Sequence, residues 1–142
     1  MKVLFLDIDG VLNRFDLESI GSKVEDDLIE NLVYVIKETG CKIVISSSWK
    51  MAPILMDILE ENLFPKLPAG CVIGCTPDIV PQVNREVEIK QWLDKHQGEV
   101  EKYVIVDDYN FELKSLLEQC VITDALTGFT KENANECVRR LK

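Results

Sequence analysis

Short runs of consecutive apolar residues alternate along the chain with longer stretches whose apolar positions recur every three or four residues. Val3 to Leu6 is the first run, closed by Asp7, Asp9 and the turn residue Gly10. An unbroken apolar run of this length suits a strand buried on both faces of a parallel sheet. Arg14 to Val24 is a polar connection that can form a flap. Glu25 to Thr39 is then predicted as a helix, with Leu28, Leu32, Val35 and Ile36 on one stripe, acids in the first turn and Gly40 at its end. Ile43 to Ile45 give a second strand over Lys42 to Ser46. Met51 to Leu63 reads as a helix carrying Ile54, Leu55, Ile58 and Leu59, with Pro53 tolerated in its first turn. Pro65, Pro68 and Gly70 break the pattern. Cys71 to Cys75 is a short third strand, and Thr76 to Gln82 a loop fixed by Pro77 and Pro81. Asn84 to His96 forms a helix with Ile89, Trp92, Leu93 and His96 on one face. Tyr103 to Val106 is a fourth strand, Phe111 to Gln119 a short helix and Cys120 to Thr123 a fifth strand. In the last helix, Lys131 to Leu141, Ala134, Cys137, Val138 and Leu141 fall at i, i+3, i+4 and i+7.

Strict alternation of strand and helix argues for an α/β fold, a parallel sheet covered on both sides through right-handed crossovers. In the order 3-2-1-4-5 the first strand is central and the fourth lies beside it. Asp7 and Asp107 then face one another at the carboxyl edge, where open α/β sheets bind their ligands. The length of 142 residues suits one domain spanning 1–142.

Composition narrows the picture further. No apolar run approaches a membrane span and the start does not resemble a signal peptide, so the expectation is a cytoplasmic protein with no membrane partner. Five cysteines, mostly in apolar segments, read as small core residues and not as a disulfide frame. The net charge of −9 argues against extended, nonspecific nucleic-acid binding. Seven acids and two bases lie between Asp16 and Glu38, which reads as a solvated helix face.

Asp7 and Asp9 are the first candidates for chemistry. Two carboxylates at the mouth of a core strand repel unless a cation neutralises them, although an Asp-x-Asp-Gly can also simply cap a turn. Asp107 and Asp108 close the fourth strand in the same way. Two neighbouring strands delivering carboxylates to one edge imply a shared hard cation, with Mg²⁺ the natural choice.

Asp-Ile-Asp-Gly-Val-Leu after a hydrophobic strand resembles the first motif of the haloacid dehalogenase-like (HAD) phosphohydrolase superfamily. The resemblance implies a Rossmannoid three-layer sandwich with a five-stranded sheet. It also implies that Asp7 is the nucleophile and Asp9 the general acid/base. Asp107 and Asp108 match the acidic fourth motif, so the implied Mg²⁺ ligands are Asp7, Asp107, the backbone carbonyl of Asp9, and Asp108 directly or through water. Ser46 to Ser48 match the second motif, whose hydroxyl and amides bind phosphoryl oxygens; Ser47 is favoured, followed by Ser46, while the competing reading is a helix-capping turn. The third motif requires a cation near the start of the helix before the fourth strand. Arg85 stands there, with Lys90 one turn further as the fallback, and either can instead be a surface charge paired with Glu86 or Glu88. Trp49 either lines the entrance or packs beneath the second loop. Asn13 either touches substrate or satisfies backbone groups in the turn. His96 lies at the far end of its helix, away from the chemistry.

Neither the connection after Asp9 nor the stretch from Met51 to Asn84 has room for a large cap, which points to a small capless branch akin to HAD domains associated with nucleic-acid repair. The expected activity is Mg²⁺-dependent phosphomonoester hydrolysis through an aspartyl-phosphate. An exposed site implies a bulky phosphorylated substrate that covers it, such as a protein or a nucleic-acid end, or closure by a partner subunit in a homo-oligomer. The alternative is a noncatalytic metal- and phosphate-binding regulatory module, against which the intact Asp7 and Asp9 pair argues. A receiver-type signalling domain shares the fold and acids, but has its phosphate-accepting Asp after a middle strand, where this chain has Ser46 to Ser48.

Overall fold

The computed structural model of the protein describes residues 1–15, 23–78, 84–109 and 113–142. Its strands are β1 (Lys2–Leu6), β2 (Lys42–Ile45), β3 (Val72–Cys75), β4 (Lys102–Asp107) and β5 (Cys120–Ile122), and its helices α1 (Asp26–Thr39), α2 (Pro53–Asn62), α3 (Arg85–Lys95) and α4 (Lys131–Leu141). All five strands run parallel in the order β3-β2-β1-β4-β5. This is the α/β sheet that the apolar pattern predicts, with β1 at its centre.

Alternation along the strands sorts the core into two layers. Leu4, Leu6, Ile43, Ile45, Val104 and Val106 face one way, packed with Leu28, Leu32 and Val35 of α1 and Ala134, Cys137 and Val138 of α4. Val3, Phe5, Val44 and Ile105 face the other, beneath Ile89 and Trp92 of α3. The Phe5 ring meets the edges of Trp92 and Tyr103 at centroid distances of 5.4 and 5.9 Å. Helices therefore cover both faces, and no helix among the described residues is long and apolar enough to cross a membrane.

Two expected helices differ in detail. The stretch after β2 splits into a 3₁₀ turn, Ser48–Met51, and α2, because Ala52 is extended (φ −117°, ψ 111°) ahead of Pro53. In place of the helix expected over Phe111 to Gln119, Lys114–Gln119 forms a 3₁₀ segment, and Phe111 and Glu112 lie outside the described residues. So do Asp16 to Ser22 of the expected flap and Ile79 to Gln82 of the expected loop.

Candidate active site

The sheet register alone assembles the core of the site. Leu6 pairs with Ile45 on one side and with Val106 on the other, so the next residues, Asp7, Ser46 and Asp107, form one row across the carboxyl edge. Ser46 N–H donates to the Leu6 carbonyl and Asp7 N–H to the Val106 carbonyl, at 2.9 and 3.0 Å, which extends the ladder to that row. By alternation all three share the face of Phe5, Val44 and Ile105, the face that α3 covers. Asn84 caps α3 by accepting from Val87 N–H, and Arg85 begins the helix beside the row. Its Nη1 donates to Asp107 Oδ2 at 2.5 Å and lies 3.3 Å from Asp7 Oδ1.

The acids are crowded and dry. Asp7 is 5% exposed and Asp107 1%, and carboxylate oxygens of Asp7, Asp107 and Asp108 lie within 4.8 Å of one another. Burial raises the Asp7 pKa well above its ordinary value, and the Asp107 and Asp108 charges raise it further; only Arg85 and the Ile8 N–H oppose them. Asp108 is also raised, first by burial and then by Asp107. Three oxygen ligands at this spacing suit a hard divalent cation, whose charge would relieve the repulsion that lifts both pKa values. The donor set therefore fits Mg²⁺.

Asp9 stands apart from this cluster and is held differently. Asn13 Nδ2 donates to its Oδ1 and Trp49 Nε1 to its Oδ2, both at 3.0 Å. Asn13 in turn accepts from Gly10 N–H at 2.9 Å and donates to the Lys23 carbonyl, so it organises the turn. Trp49 is buried yet reaches the carboxylate through its indole N–H, a role the two sequence readings left out. Its signal was available in principle: a buried indole needs an acceptor, and an acid at a strand end can supply one. Gly10 has φ 76°, and a Cβ there would come within 2.3 Å of Asp108 Oδ2. The loops after β1 and β4 thus touch, and Thr123 Oγ1 ties them to β5 by donating to the Gly10 carbonyl at 2.7 Å.

The three serines have different places. Ser46 is fully buried in the row with Asp7 and Asp107, and its Oγ has no hydrogen-bond partner among the described residues. Ser47 caps the 3₁₀ turn, its Oγ accepting from Trp49 N–H at 3.1 Å. Ser48 lines the cavity at the acids, which encloses about 150 Å³ together with Asp7, Asp9, Arg85, Asp107, Asp108 and Tyr109. Lys90 lies away from this cavity, half exposed and 3.6 Å from Glu86, so Arg85 is the cation the fold brings to the acids. His96 closes the opposite end of α3, stacked 3.7 Å from Trp92. A second, mostly apolar cavity of about 110 Å³ adjoins the first through Asp9 and Asp108 and is walled by Phe15 and Ala125.

A family model described as "HAD domain in Swiss Army Knife RNA repair proteins" matches residues 3–134. The comparisons with curated proteins and with solved structures give no match.

Proposed function

The chain belongs to the family of HAD domains in Swiss Army Knife RNA repair proteins, and from that premise we propose that it is a cytoplasmic, single-domain, Mg²⁺-dependent phosphomonoester hydrolase acting on phosphorylated nucleic-acid ends. The observation that carries this reading is the division of labour among the acids. Asp7, Asp107 and Asp108 converge within 4.8 Å, whereas Asp9 is held outside the cluster by two N–H donors.

In this mechanism an Asp7 carboxylate oxygen attacks phosphorus in line. Asp9 gives its proton to the leaving oxygen as the P–O bond breaks, leaving an aspartyl-phosphate on Asp7. Asp9 then takes a proton from water, the water oxygen attacks phosphorus, and Asp7 and inorganic phosphate are released. The Arg85 guanidinium and the hydroxyl groups at the end of β2 hold the nonbridging oxygens, with Ser46 supported by its buried Oγ and Ser48 by its place on the cavity wall. Asp7, Asp107, Asp108 and the Asp9 carbonyl would hold Mg²⁺, which supplies positive charge to an anionic phosphoryl group beside carboxylates. The acid that protonates the leaving oxygen also borders the second cavity, so the leaving group extends toward Phe15, a residue 54% exposed. That apolar wall suits a sugar or base, and the net charge of −9 favours a terminus over an extended strand.

A noncatalytic phosphate-binding module is the competing reading, and a pure binder has no use for the two donors that orient Asp9. The test is a phosphomonoester screen that includes RNA oligonucleotides phosphorylated at either end, with and without Mg²⁺, using wild type beside Asp7→Asn. Phosphate release should require Mg²⁺ and fall at least about a thousandfold in the variant. Metal-loaded wild type that turns over nothing, or a variant with full activity, would sink the reading.

A further inference from the structure

At the first turn of α3 lies a second charged cluster that the mechanism does not use. Lys50 Nζ donates to Glu88 Oε1 at 2.7 Å and to Thr76 Oγ1 at 2.9 Å, and lies 3.7 Å from Asp78 Oδ1. The Lys50 and Glu88 side chains are only 3% and 1% exposed. Glu88 Oε2 is buried with no hydrogen-bond partner among the described residues. Taking two charges out of water costs several kcal/mol per ion, and the pair recovers that only when every polar atom is satisfied. Here one atom is not. Stability alone is therefore a poor account of why this position holds a lysine and a glutamate instead of two apolar side chains.

Location supplies a better account. Lys50 belongs to the 3₁₀ turn after β2, Thr76 and Asp78 follow β3, and Glu88 lies in the first turn of α3. Lys50 thus ties the turn after β2 both to the residues that follow β3 and to the first turn of α3. Glu88 is three residues after Arg85, hence on the same side of the helix and one turn along. Fixing Glu88 fixes the rotation and height of the helix end from which Arg85 reaches Asp107 and Asp7. Trp49, the residue before Lys50, reaches Asp9 from the same short turn. One turn of chain therefore indexes the acid/base with its indole and the phosphoryl cation, through Glu88, with its ammonium.

We propose that Lys50 and Glu88 are positioning residues for Arg85, setting the start of α3 against the sheet edge so that the guanidinium meets the phosphoryl site. The effect on turnover rests on the phosphatase reading above, whereas the placement of Arg85 does not. Two variants test it: the apolar replacement Lys50→Met with Glu88→Leu, and the milder Glu88→Gln. A buried pair exchanged for apolar groups of similar volume leaves stability nearly unchanged or raised, so the double variant should melt within a few degrees of wild type.

Hydrolysis of 4-nitrophenyl phosphate per folded molecule should fall about tenfold or more in kcat/KM for both variants. In an Arg85→Ala background, Glu88→Gln should cost almost nothing further, because it acts through the residue already removed. Full additivity of the two changes, or unchanged kcat/KM in Glu88→Gln, would overturn the proposal. A crystal structure of Glu88→Gln decides the placement independently of turnover. Arg85 displaced from Asp7 and Asp107 supports the clamp, and Arg85 still within hydrogen-bond reach of both refutes it. Wild type inactive in the same assay would count against the phosphatase reading, and that structure would still judge the clamp.

Discussion

Trp49 performs two tasks that only an indole combines. Its ring fills the core beneath the turn after β2, and its N–H fixes one oxygen of Asp9 while Asn13 fixes the other. Trp49→Phe keeps most of the ring and removes the donor. Turnover should therefore drop about tenfold, as is typical when a group orienting a reactive side chain is lost, with only a small change in melting temperature; steady-state kinetics beside a thermal melt separates the two effects. The contact joins residues 40 positions apart, through a strand end and a 3₁₀ turn whose geometry no periodicity encodes. Asp7 and Asp107 were legible because each interrupts an apolar strand at its carboxyl end, where burial gives a charge a reason. Arg85 and Lys90 looked alike in sequence. Only the packing of α3 places the first at the acids and the second beside Glu86 on the surface.

Among the elements, α4 shows how far local signals carry. Thr130 accepts from Asn133 N–H, and Asn133 Oδ1 accepts from Thr130 N–H, a reciprocal cap that starts the helix at Lys131. The helix then packs on α1, where Lys131 sits over the Tyr34 ring and Asn31 donates to the Phe129 carbonyl at 2.8 Å. Thr130→Ala should cost about 1 kcal/mol, lowering the melting temperature by roughly 3 to 5 °C, and should leave activity per folded molecule unchanged, because α4 contributes nothing to the cavity lining. A variant that melts with wild type would show that packing alone sets this helix end. Strands and long helices were readable from periodicity, which is a property of neighbouring residues. The 3₁₀ segments at Ser48–Met51 and Lys114–Gln119 were not, because they are only four and six residues long, too short for a repeat to separate a 3₁₀ turn from an α-helix.

For the whole molecule, three acids crowded at one sheet edge subtract from stability wherever no cation offsets their charge. Asp7 and Asp108 both have raised pKa values, so between the unperturbed 3.8 and the raised values the folded state holds protons that the unfolded state has lost. Stability contributed by these groups is present at low pH and is lost as pH rises through that window. In chelator, Asp7→Asn should therefore be more stable than wild type near neutral pH, with the difference shrinking as pH falls toward 4. Mg²⁺ should raise the wild-type denaturation midpoint. An Asp7→Asn midpoint below wild type at neutral pH would contradict this account. The strand order is what brings these acids together, since Asp7 and Asp107 share one row only because β1 and β4 are neighbours.

The central position of β1 also bears on how the chain is made. β1 pairs with β2 through Leu6 and Ile45, but its other neighbour, β4, begins at Lys102. During synthesis β1, β2 and β3 can associate while the far edge of the central strand waits, uncovered, for the last third of the chain. The three acids at the sheet edge cannot converge until Asp107 and Asp108 have emerged. A product cut short before Lys102 would carry three of the five strands with one edge of β1 open, a template for pairing with another chain and a substrate for quality control.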